Sequence, residues 1–160
     1  MDSGRAEEQL VQSYVGTRTE QEIRKLVARG GVVAGTSAGA MIQASYMPTN
    51  GEFYTEPILK IIREQGTGGG FGLLTNSTVA PHFAQRQYER GLKATIAAHP
   101  DLLGIGIDEA TALIVHGSQI EVLGEGHVKL YDGRDHHGQD CFTLSPGEKS
   151  EFSKLNAPSR

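Results

Sequence analysis

Apolar residues in the first third of the chain recur at the spacing of a helix. Ile23, Leu26 and Val27 put one apolar stripe on a helix that opens near Thr19, where Thr19 and Glu22 make a T-x-x-E capping box. Gly30 and Gly31 follow Arg29 and supply the positive φ that ends a helix. Val32-Val33-Ala34 is a short unbroken apolar run, suited to a buried strand. The chain then turns through Gly35 and Gly39, and residues 38–44 read as a second helix. Between Tyr46 and Leu73 the breakers Pro48, Asn50, Gly51 and Pro57 interrupt any long period. Residues 58–63 fit one or two helical turns, and the Gly-rich residues 67–72 read as loop.

The second half has a different rhythm. Thr78-Val79-Ala80 predicts a short strand leading into Pro81-His82, and residues 86–99 predict a helix stopped by Pro100. Residues 104–108 read as a strand. Residues 112–116 and 119–123 alternate as two short strands, and Gly117-Ser118 between them fits a two-residue hairpin. Residues 128–131 are a further strand candidate, followed by a polar loop, 132–140, and Phe142-Thr143-Leu144 precedes Ser145-Pro146-Gly147. Helices alternating with apolar strands predict an α/β domain with a mostly parallel sheet flanked by helices, and a hairpin-rich, antiparallel C-terminal part. The expected organisation is a poorly patterned stretch 1–15, a domain 16–145 and a tail 146–160.

Composition narrows the function classes. The 160 residues fit one ordinary domain, with a net charge of −4 and no basic excess of the kind a nucleic-acid partner requires. A single cysteine, Cys141, excludes an internal disulfide framework. No apolar run approaches the roughly 18 residues of a spanning helix, and residues 1–10 are polar with no apolar leader core. The expectation is a cytoplasmic protein with neither membrane nor nucleic-acid partner. No cofactor is expected either. The Gly68–Gly72 run lacks the Lys-Ser/Thr of a P-loop, and Asp135, His136, His137 and Cys141 lack the second spaced pair that a metal site would show.

The chemistry concentrates in Gly35-Thr36-Ser37-Ala38-Gly39, a G-x-S-x-G motif between the expected strand and helix. A nucleophilic serine needs a tight turn that projects its hydroxyl, and small neighbours let strand and helix approach. The Ala38 N–H at the start of the helix is the expected oxyanion donor. A serine also needs a base. Of six histidines, His82 stands where a strand ends and a helix is expected to begin. An orienting acid is offered by Asp108-Glu109 at the end of an apolar strand. Neighbours on a strand point to opposite sides, so the two carboxylates do not serve equally, and the spacing leaves the choice open.

Three segments carry a family resemblance. Residues 29–40, Arg-Gly-Gly-Val-Val-Ala-Gly-Thr-Ser-Ala-Gly-Ala, resemble the nucleophile region of cyanophycinases and related serine peptidases, peptidase family S51. Residues 103–113, around Gly104-Ile105-Gly106-Ile107-Asp108-Glu109, resemble a second signature of that family, and His82-Phe83 followed by Arg86 a third. The resemblance runs from about Gly16 to Leu144. It implies a flavodoxin-like, class I glutamine-amidotransferase-like fold. It also implies a catalytic set of Ser37, His82 and Glu109, with Asp108 as the alternative acid. The order Ser, His, acid differs from the Ser, acid, His order of α/β-hydrolases.

The resemblance further implies amide-bond cleavage in acidic peptides, of aspartyl or cyanophycin type, through an acyl-enzyme on Ser37. Arg86 matches a substrate-binding position of the family, and the helix expected there would set Arg90 beside it at i, i+4. Three positions depart from the pattern: Ala80-Pro81 replaces an Asp-Gln pair, and Tyr88 stands at an arginine position. The family also carries further β/α units before the nucleophile, whereas 36 residues precede Ser37 here. Two readings follow. One is a peptidase with a peptide substrate, with a homodimer left open as its assembly. The other is a truncated, non-catalytic homologue serving as a binding or regulatory subunit.

Overall fold

The computed structural model describes residues 4–47 and 69–151. The helical turns expected over residues 58–63 lie outside them. The fold is α/β: a mixed sheet flanked by helices, with a second, antiparallel sheet. The chain forms two compact units, Met1–Thr78 and Val79–Arg160.

The first unit opens with a helix absent from the sequence expectation, α1 (Gly4–Tyr14), followed by α2 (Arg18–Ala28). Leu10, Val11 and Val15 pack with Ile23 against a core of Met41, Ile42, Met47 and Phe71. Helix α2 starts earlier than the Thr19 box predicts. Thr17, the first residue of an overlapping T-x-x-E, is the cap: its hydroxyl accepts from Glu20 N at 3.4 Å, and the Glu20 carboxylate accepts from Gly16 N at 2.7 Å. The end of α1 decides this, because the Thr17 hydroxyl also donates to the Tyr14 carbonyl at 2.6 Å. Glu22 pairs instead with Lys25.

Val32-Val33-Ala34 forms no strand, and Val32 is 86% exposed. Among the described residues no strand pairs with this run, so its apolar composition finds no ladder. After the turn, α3 (Ala38–Met41) is only one turn long, because β1 (Ala44–Tyr46) begins where the helix was expected to end. Strand β1 runs parallel to β2 (Leu74–Pro81) with a register shift that the Ser45 hydroxyl fills, accepting from Ser77 N and donating to Ser77 O. The Gly-rich stretch is not an idle loop. Gly70, Phe71, Gly72 and Leu74 donate to carbonyls of Ser45, Ile42, Ala44 and Gln43. A Cβ on Gly70 would overlap the Ala44 carbonyl.

In the second unit the end of β2 leads through turns to α4 (Glu89–Ala98) and β3 (Leu103–Ile107). The sheet continues in the order β2, β3, β6 (Val128–Tyr131), β7 (Phe142–Leu144), with β6 antiparallel to both β3 and β7. The alternation in β3 is what builds this unit. Leu103 and Ile105 are fully buried, and the glycines between are where neighbours close in. A Cβ on Gly104 would come within 3.0 Å of Leu92 and Ile96 of α4, and one on Gly106 within 2.6 Å of the Phe83 ring. The second sheet holds the expected hairpin, β4 (Thr111–His116) and β5 (Gln119–Gly124), with His116 opposite Gln119 across Gly117-Ser118. Residues 146–151, expected in a tail, are not one. Gly147 N donates to Val122 O, and β8 (Lys149–Glu151) pairs antiparallel with β5.

Candidate active site

Ser37 occupies the N-cap of α3 at φ 53° and ψ −127°, a region that a residue with a side chain adopts only at a cost of about 1–3 kcal/mol. A serine at an N-cap ordinarily turns its hydroxyl back onto the helix. Ser37 makes no such capping bond. The turn is closed by Gly39 N to Thr36 O and by Ala40 N and Met41 N to Ser37 O, none of which uses the Ala38 N–H. A Cβ on Gly35 would overlap the Gly39 carbonyl, so the first glycine is required by backbone contact across the turn. The Gln43 side-chain amide donates to that same carbonyl at 3.1 Å.

His82 belongs to the second unit and is also held at positive φ, 55°, directly after Pro81. Phe83 anchors it. The ring is buried over Gly106 and lies 5.9 Å from the Tyr131 ring, and Phe83 N donates to Ile107 O at 3.0 Å. The His82 Nδ1 then lies 3.0 Å from Glu109 Oε1. A carboxylate only accepts, so Nδ1 carries the proton of this bond and Nε2 of the neutral ring is left as an acceptor.

Asp108 points elsewhere. Its Oδ1 accepts from Ala84 N at 3.1 Å, and its Oδ2 accepts from His127 N at 3.0 Å. Of the two adjacent carboxylates only Glu109 meets His82; both lie beyond β3, so strand alternation does not set their directions. Gln85, which sequence reasoning passed over, accepts the Glu109 N–H on its side-chain oxygen at 3.0 Å. Nothing in its residue type marks that role; only the closeness of the two loops does.

Arg86 does not lie on a helix. Residues 83–88 are turns, Gln87 takes φ 55°, and α4 starts at Glu89, so the expected Arg86 and Arg90 pairing at i, i+4 is not formed. Arg86 Nη1 donates to the Tyr88 hydroxyl at 3.3 Å. The remaining candidates have other partners. His136 meets Asp132 at 2.9 Å, Asp135 accepts from Gly138 N, and Cys141 is buried. No three such groups gather to hold a metal among the described residues. No helix among them is long and apolar enough to cross a membrane.

Comparison with known proteins decides the family. The model described as peptidase family S51 matches residues 4–123. This chain belongs to peptidase family S51. It is 39% identical over 114 residues to a cyanophycinase of Trichormus variabilis, a match covering 69% of this chain and 37% of that protein. A cyanophycinase of Synechococcus elongatus is 36% identical over 105 residues, 65% of this chain and 32% of the relative. That of Geminocystis herdmanii is 34% identical over 116 residues, covering 71% and 42%. The chain thus spans less than half the length of these S51 relatives.

Proposed function

We propose that this S51 chain carries the acyl-transfer centre of a cyanophycinase-type serine peptidase, with Ser37 as nucleophile, His82 as general base and Glu109 as the acid that orients it. The observation that carries this reading is the 3.0 Å contact between His82 Nδ1 and Glu109 Oε1. It commits the ring to the tautomer whose Nε2 can take a hydroxyl proton. In the step proposed, Ser37 Oγ bonds to the amide carbonyl carbon while its proton passes to His82 Nε2. The carbonyl electron pair moves onto oxygen, where the Ala38 N–H donates to it. Collapse of this adduct breaks the C–N bond, His82 gives its proton to the leaving amine, and water releases the acyl group from Ser37. Arg86 supplies a cation for an acidic peptide of aspartyl or cyanophycin type.

A fluorophosphonate tests the nucleophile directly. Intact-mass and peptide analysis should find one adduct, on Ser37, and both Ser37→Ala and His82→Ala should lose it. A folded wild-type sample that takes no adduct would overturn the reading and favour a non-catalytic subunit.

A further inference from the structure

We infer that Asp108 and Gln85 are positioning residues that together hold the His82 ring against Glu109. The contacts are reciprocal. Asp108, beside the acid, grips the turn that carries the histidine through Ala84 N, while Gln85, in that turn, grips the acid through Glu109 N. The second oxygen of Asp108 ties the same point to His127 N at the start of β6. Thr111 completes the clamp. Its hydroxyl donates to Glu109 O at 3.0 Å and accepts from Gly126 N at 2.9 Å. Both backbone groups of Glu109 are therefore fixed by side chains.

Two facts make such a clamp necessary. The backbone is unfavourable on both sides of the pair, at φ 55° for His82 and φ 52° for Ala110, and such conformations persist only where their surroundings over-determine them. The Glu109 side chain is also more than half exposed, so water competes for its oxygens and an unsupported pair would hold its geometry poorly. Asp108 is the better-buried carboxylate, yet it accepts backbone N–H groups on both oxygens rather than facing His82. It holds the base's loop in place of relaying charge.

The role assigned rests on reading His82 as the base, but its test does not need activity. The neutral ring tautomer of His82 can be read from its ¹⁵N shifts in unreacted protein. The wild type should show Nδ1–H. Gln85→Ala, at an exposed side chain whose loss leaves the core intact, should move His82 toward the Nε2–H form, and Asp108→Ala should do so further. His116, in the β4–β5 hairpin, should be unchanged in both. Labelling of Ser37 should slow by about 100-fold, the effect of a misplacement of roughly 1 Å. A wild type in the Nε2–H form, or a folded Gln85→Ala protein with the wild-type tautomer, overturns the proposal. If the tautomer moves as expected while wild-type Ser37 takes no label, the clamp stands and the peptidase reading falls.

Discussion

Glu20 is a buried carboxylate with both oxygens engaged. Oε2 accepts from the Gly16 amide at 2.7 Å, and Oε1 accepts from Arg24 Nε at 2.8 Å. The same guanidinium reaches across to the Phe71 carbonyl, so one side chain links the start of α2 to the Gly-rich stretch that lies on β1. The Gly16 donor, with Arg24 adding to it against the opposing effect of burial, holds the Glu20 carboxyl below its ordinary value of 4.5. A carboxyl whose folded value is lowered stabilises the fold fully above the unfolded value. That contribution disappears as pH falls through the folded one. Glu20→Ala should therefore lose about 1–2 kcal/mol at pH 7, as the loss of a helix-capping group does. In urea denaturation the gap between wild type and variant should narrow at pH 3. An equal gap at both pH values would show that shape, not charge, is what Glu20 contributes.

Within the turn element, the two glycines of G-x-S-x-G look equivalent in the motif and are not equivalent in the fold. A Cβ on Gly35 would overlap the Gly39 carbonyl and crowd the Gln43 amide at 2.8 Å, whereas one on Gly39 would meet nothing within 4 Å. The Gly35 clash is with backbone, which cannot rotate aside as a side chain can. Gly35→Ala should cost about 1–3 kcal/mol, the range for overpacking a tight site. Gly39→Ala, inside α3, should be neutral or stabilising by up to about 1 kcal/mol, because alanine loses less backbone freedom in a helix. Thermal unfolding of the two variants separates these outcomes, and equal losses in Tm would contradict the geometry of the turn. The requirement runs from Gly35 to Ser37: the close approach at the first glycine lets the chain reverse sharply enough to leave the serine at φ 53°.

For the molecule as a whole, the parts legible in the sequence are those decided by neighbours along the chain. The β4–β5 hairpin follows from period-two alternation around Gly117-Ser118, whereas the meeting of His82 with Glu109 across the chain was expected only from the family resemblance. Elements decided by distant partners were not legible. Helix α1 looks merely polar until the first unit's core gives Leu10 and Val11 something to pack on. The left-handed Gln87 delays α4 past Arg86, and no residue in that stretch announces it. Val32-Val33-Ala34 carries the composition of a central strand, but composition says nothing about whether partners flank it. This last case yields a test of where the core lies. Ile105 is fully buried on β3, on the face opposite Gly104 and Gly106, so Ile105→Ala should cost about 2–5 kcal/mol. Val32 is apolar but 86% exposed, so Val32→Asp in this chain should change stability by no more than about 0.5 kcal/mol. Chemical denaturation of the two variants compares them directly. A large loss from Val32→Asp would mean that this run is covered in solution, and that the strand its composition calls for does form there.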